Sequence, residues 1–290
     1  MSDSTAAAGY DTITSINFTG GFPSSKDLAA SIVFLVAFVA TLPVLVWRLV
    51  SPAHRTVILI RPGVFVACRI PMLIIRAIMS KTDYGLGLLI AELVLVGIGY
   101  LFLIEPITAL WQRLVDASSP PPHPRWVRLL GKLLTLTLLV AIATMIASSS
   151  IVSGAFDSES MLNTVVALRP ASYILSLAVV VLQALAIART YFHFGTSNRK
   201  TAYLLVPLIC LIIVAIYRVA QTYASDPSSP IRSLSAFWIM QITFEFLAYV
   251  SYLAISIPAW FPKKPKDEDM ELDVEGQQAR LRGTPKPSDA

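Results

Sequence analysis

Five ionisable residues lie inside long apolar stretches of this 290-residue chain: Arg69, Arg76, Glu92, Arg218 and Glu245. Each would cost about 2.5–3.5 kcal/mol near a bilayer centre by insertion scales, so such residues turn to the interior of a helical bundle. Arg69 and Arg76 are seven residues apart, nearly two turns, which sets them on one helix face. Three arginines against two glutamates leave one positive charge uncompensated if all are ionised. Such a set suits the binding of an anionic group.

The last apolar stretch adds to this set. Trp238, Gln241, Glu245, Tyr249, Tyr252 and Ser256 fall at offsets of 0, 3, 7, 11, 14 and 18. At about 100° per residue they form one stripe roughly 80° wide, and a polar, aromatic stripe on a membrane helix faces protein or a cavity. Gln221 lies beside Arg218, and Gln183 is a further candidate for the same interior. The expected ligand-binding set is therefore Arg69, Arg76, Glu92, Arg218, Gln221, Gln241, Glu245 and Tyr249, lining a cavity in the outer half of a bundle. The competing reading is ion pairing that only holds helices together.

Other chemistries find less support. His54, His123 and His193 lie in or near loops, and Cys68 and Cys210 sit in apolar segments without metal-ligand spacing. No metal or cofactor is expected. The chain has no nucleotide-binding motif, which argues against direct ATP-driven work by this chain alone. Glu92 or Glu245 could serve as a general acid in a membrane enzyme, but nearby arginines favour the ionised carboxylate and no nucleophile constellation accompanies them.

The elements that must position these residues follow from composition. The chain is 55% hydrophobic and 14% charged, with mean hydropathy +0.67. A spanning helix needs roughly 20 mostly apolar residues. Seven stretches qualify: 29–50, 57–80, 85–109, 128–153, 171–194, 201–222 and 236–260. The expected fold is an all-α integral membrane bundle of seven transmembrane helices at 29–260, between a polar segment at 1–28 and a disordered tail at 261–290. Arg61, Arg69, Pro71 and Arg76 interrupt the second stretch, and Pro43, Pro71 and Pro207 should kink their helices.

Loop charge gives the orientation. One side carries Arg48, Arg55, Arg61, Arg113, Arg125, Arg128, Lys132, Arg189, Arg199, Lys200, Lys263, Lys264 and Lys266. The other carries Lys26, Lys81, Arg169 and Arg232. The positive-inside rule then predicts an external N-terminus and a cytoplasmic C-terminus. The net charge of +5 belongs to those loops and does not point to nucleic acid. Asn17-Phe18-Thr19 is a glycosylation sequon on the side predicted external. The first residues lack the pattern of a cleaved signal peptide, so the first stretch is expected to act as its own insertion signal, for the plasma membrane or another secretory-pathway membrane. Glu105 is expected to pair with Arg48 or Arg113. Ser118 to Pro124 reads as an extended cytoplasmic spacer that leaves room for a cytoplasmic protein partner.

Seven stretches in this orientation, Arg69 in the second, Ile216-Tyr217-Arg218-Val219-Ala220-Gln221 ending the sixth and Glu245 in the seventh resemble the fungal RTA-like proteins, the lipid-translocating exporter family, or a related fungal seven-span family. The family usually has a glutamate three residues after the sixth-span arginine, where this chain has Gln221. The resemblance implies export of a lipid or amphiphile, with membrane lipids as partners. With that resemblance, a lipid or amphiphile transporter ranks first, a seven-span receptor second and a membrane enzyme third.

Overall fold

The computed structural model describes residues 20–118, 125–152, 158–224, 226 and 228–262. Asn17, most of the proline-rich loop and the tail beyond Pro262 lie outside the described residues. Seven helices are long and apolar enough to cross a membrane: Asp27–Val50, Val57–Met79, Gly87–Ser118, Arg125–Ser150, Ser160–Phe194, Asn198–Tyr223 and Leu234–Ala254. They are numbered here spans 1 to 7. Residues 20–26 and the span 2–3 and 6–7 connections lie at one end, called the N-terminal face; the span 1–2 and 5–6 connections and residues 255–262 lie at the other, called the C-terminal face.

The burial pattern is that of a bundle turned inside out relative to a water-soluble one. Val33, Val36, Val50, Leu129, Leu139, Leu185 and Phe192 are all exposed, while Arg69, Arg76, Glu92, Arg218 and Glu245 are each 0% exposed. In water that distribution would leave apolar surface wet and strip charges of solvent. In lipid the apolar belt is solvated by acyl chains and the charges need one another.

Three elements differ from the expected bounds. Span 3 continues past 109 to Ser118, because Trp111, Leu114 and Val115 bury an apolar face against the bundle. Span 5 belongs to a helix that begins at Glu159, so Arg169 lies within a helix rather than in a loop, and it is only 4% exposed. Span 7 ends at Ala254, where Ile255 turns extended, and a short helix, Ile257–Trp260, restarts with Pro258 in its first turn, where a missing N–H costs nothing.

Besides the 3-10 turn Val57–Leu59 that opens span 2, two spans depart from regular α-helix. Span 3 is two helices, Leu86–Gly99 and Leu101–Ser118, interrupted at Tyr100, whose N–H bonds to the Ile98 carbonyl. A regular helix would send that N–H to Val96. Span 7 opens with a wide π-helical run, Phe237–Thr243, in which the Thr243 hydroxyl donates to the Trp238 carbonyl at 2.9 Å. Proline interrupts neither segment; Pro43, Pro71, Pro106, Pro170 and Pro207 all lie within helices that continue past them.

Candidate functional site: two buried charge clusters

The first cluster is centred on Arg76, near the N-terminal face. Its Nε donates to Asp27 Oδ1 at 2.9 Å, its Nη1 to Glu92 Oε1 at 2.6 Å and its Nη2 to the Gly20 carbonyl at 2.6 Å. The guanidinium lies 4.7 Å from the Phe237 ring centroid and 5.8 Å from that of Trp238, within cation–π range. Trp238 Nε1 donates to the same Asp27 oxygen at 3.1 Å. Asp27 Oδ2 accepts from the Ser24 amide at 2.9 Å, the reach-back contact that helps start span 1. Gly20, at φ +92°, brings its carbonyl over Arg76, and a Cβ there would come within 3.0 Å of the Phe237 ring.

The second cluster lies deeper. Arg69 Nε and Nη2 approach Glu245 Oε2 at 2.7 and 2.5 Å, while Arg218 Nη2 is 3.3 Å from Glu245 Oε1. Both arginines also use span 3. Arg69 donates to the Leu95 and Val96 carbonyls at 3.2 and 3.3 Å, and Arg218 to the Val96 and Gly97 carbonyls at 2.7 and 3.2 Å. The break at Tyr100 frees the Val96 carbonyl, which two guanidinium groups then share. Gly99 lets Arg69 approach, since a Cβ there would lie 3.3 Å from Arg69 Cζ. The Tyr100 ring covers Arg218 at 4.5 Å and Tyr173 lies at 5.4 Å.

The five residues expected to meet therefore divide into two neighbouring clusters that share span 2. Asp27 supplies a sixth charge, so the three arginines face three carboxylates and the expected excess positive charge among them is absent. Sequence reading left Asp27 in the polar leader; Ser24 three residues before it was the available signal. It also missed Arg169, whose Nε donates to the Tyr173 hydroxyl at 3.2 Å, and the span 3 break, flagged by Gly97 and Gly99.

Other expected members are placed differently. Tyr249 is buried among Phe38 and Phe65, and its hydroxyl accepts from Thr41 at 3.1 Å. Gln183 donates to Ile104 and Thr108, closer to the C-terminal face than the clusters. Gln221 is buried one turn after Arg218. Gln241, in the π-helical run, is 0% exposed and neither atom of its amide has a hydrogen-bond partner among the described residues. Glu92 Oε2 and Arg218 Nε are likewise unpartnered. Glu105 pairs with Arg61 at 3.6 Å, not with Arg48 or Arg113, which instead bind the Ile255 and Phe261 carbonyls.

The charged residues expected to line a cavity are buried and paired with one another. A cavity of about 800 Å3 lies at the C-terminal face, lined by Arg55, Thr56, Arg113, Pro52, Pro258 and apolar residues of spans 1 and 2. Among the described residues no group of His, Cys, Asp and Glu could hold a metal ion.

An all-helical bundle of seven membrane-length helices around paired buried charges is the class that fold and site define, compatible with a multi-pass membrane protein. No family model, curated protein or solved structure matches the chain.

Proposed function

We propose that this protein is a multi-pass carrier that moves a lipid or other anionic amphiphile, with its N-terminus outside and its C-terminus in the cytoplasm. The supporting observation is the interruption of span 3 at Tyr100, where Arg69 and Arg218 both donate to the freed Val96 carbonyl. Tyr100 itself keeps helical dihedrals, so the fault lies in the hydrogen-bond ladder, and such a fault at membrane depth is tolerated where protein groups take the freed carbonyl. The π-helical run of span 7 supports the same reading, since such turns occur frequently at functional sites.

The two arginines are not equally held by Glu245. Arg69 is tightly paired, whereas Arg218 has the longer contact of 3.3 Å and an unpartnered Nε. An entering phosphate or carboxylate headgroup takes Arg218 first, and the unpartnered Gln241 amide offers it a further donor. Releasing Glu245 from Arg218 loosens span 7 against spans 3 and 6. In this reading the closed state is the one in which the Glu245 carboxylate takes the place of the headgroup. The resemblance to the RTA-like exporters supports a lipid or amphiphile as cargo.

Purified protein in vesicles with a fluorescent anionic phospholipid tests this reading. The wild type moves the probe between leaflets, and Arg218→Lys, which keeps the charge but loses the planar fork, moves it at least several-fold more slowly. Arg218→Lys and Glu245→Gln variants that insert normally yet move the probe at the wild-type rate would refute the site.

A receptor reading is favoured by one observation: the Gly20 carbonyl accepts from Arg76 Nη2, tying the segment before span 1 to the buried charge of span 2. Ligand-dependent recruitment of a cytoplasmic partner, without probe movement, selects it.

A further inference from the structure

The cavity at the C-terminal face lies apart from both charge clusters. Its lining combines two kinds of surface. Leu49, Val50, Val57 and Ile60 form an apolar wall, and Val50 and Val57 are 73% and 77% exposed, on the side where the bundle meets acyl chains. Arg55, Thr56 and Arg113 form the polar part, and no carboxylate is among the lining residues.

The polar part is held in place. The Ser51 carbonyl accepts from the His54 and Arg55 amides at 3.0 and 2.9 Å, folding the span 1–2 loop into a tight turn. His54 Nδ1 is 2.8 Å from Ser256 Oγ, and its ring lies 4.6 Å from Trp47, which ties that turn to span 1 and to the segment that follows span 7. Arg113 donates to the Phe261 carbonyl at 3.1 Å, fixing its guanidinium at the cavity while it remains half-buried. Arg55 is exposed. Arg113 also donates from Nη2 to Thr56 Oγ1 at 3.5 Å, so one arginine of the lining is held by protein contacts and the other is exposed, with no lining carboxylate to neutralise either.

From this juxtaposition of two cationic forks with an apolar, bilayer-facing wall, we infer that the cavity binds the phosphate-bearing headgroup of an anionic phospholipid. The phosphate sits between Arg55 and Arg113, with one acyl chain along Val50, Val57 and Ile60. A free phosphate would satisfy the arginines and leave the wall unused. A zwitterionic phospholipid would use the wall but bring its own cation to a site that already has two. The orientation proposed above puts this face in the cytoplasmic leaflet, where anionic phospholipids concentrate. The bound lipid pins the span 1–2 loop to the ends of spans 3 and 7, so it acts as a structural ligand rather than as cargo.

The experiment is a thermal-shift titration of the full chain in detergent, with short-chain phosphatidylserine, short-chain phosphatidylcholine and inorganic phosphate as probes. A ligand that binds the folded state alone raises the melting temperature saturably. Phosphatidylserine is expected to do so, and the other two to have little effect at the same concentration. Arg55→Ala weakens the apparent affinity about fivefold, the effect of one cation at an anionic headgroup, and Arg55→Glu weakens it further. Arg61→Ala, outside the cavity and paired with Glu105, leaves it unchanged. Equal response to phosphatidylcholine, equal response to inorganic phosphate, wild-type affinity in the Arg55 variants, or equal loss in Arg61→Ala each overturns the assignment. Lipid flux is not part of this readout, so the result stands apart from the carrier reading.

Discussion

Arg76 and Asp27 form a fully buried ion pair of 2.9 Å that fastens the second span to the first turn of the first. The same carboxylate holds Trp238 of span 7 and the Ser24 amide, so four donors converge on it from three parts of the chain. Removing Asp27 leaves Arg76 with Glu92 as its one carboxylate partner and leaves the Arg76 Nε, Trp238 Nε1 and Ser24 donors unpaired in a buried site. Asp27→Ala is expected to cost about 3–5 kcal/mol and to lower the melting temperature by roughly 6–15 °C. Asp27→Asn keeps one acceptor oxygen and should lose less. Melting of Asp27→Ala together with the wild type in a thermal-shift assay would contradict the pair.

Gly99 and Gly131 should respond oppositely to the same added methyl. At Gly99 the new Cβ meets the Arg69 guanidinium at 3.3 Å, and that group is pinned to Glu245, Leu95 and Val96. Gly99→Ala is expected to cost about 1–3 kcal/mol by overpacking. At Gly131 the new Cβ would meet the Gln112 side-chain nitrogen at 1.9 Å, but that amide ends a half-buried, flexible side chain that can swing away. Gly131→Ala should therefore retain stability within about 0.5 kcal/mol. Chemical or thermal denaturation of the two variants side by side decides this, and equal damage at both positions would count against the close approach at Gly99.

The two cysteines give a probe of packing. Both are free thiols; Cys68 is half-buried and Cys210 only 7% exposed, on separate spans. A membrane-permeant maleimide is expected to modify Cys68 first, and Cys210 only after the protein is loosened by denaturant. Mass spectrometry of a time course reads the order directly. Faster modification of Cys210 would mean that its span is turned the other way.

The proposed orientation has its own test. With the N-terminus outside, Asn17 meets the glycosylation machinery, and glycosidase treatment increases the mobility of the wild type but not of Asn17→Gln. An epitope at the N-terminus should be reached by protease in intact cells and one at the C-terminus should not. The opposite protection pattern would reverse the topology, whatever the state of Asn17.

The apolar runs by themselves determined the helix count, because twenty consecutive apolar residues have few other destinations and backbone hydrogen bonding in lipid forces them into helices. The isolated arginines and glutamates within those runs were equally legible as interior residues, since charge is too costly to face acyl chains. Which charge meets which was not. Helical periodicity fixes the face of each helix but not its neighbour, and the contacts that decide the site join residues far apart in sequence, Arg69 with Glu245 and Asp27 with Trp238. Asp27 read as a solvated leader residue until span 2 brought Arg76 beside it. The break at Tyr100 was visible only as two nearby glycines, because what makes it a site is the pair of guanidinium groups from spans 2 and 6 that take the freed carbonyl. Sequence thus set how many helices there are and which residues must be hidden, while tertiary packing decided how the hidden charges satisfy one another.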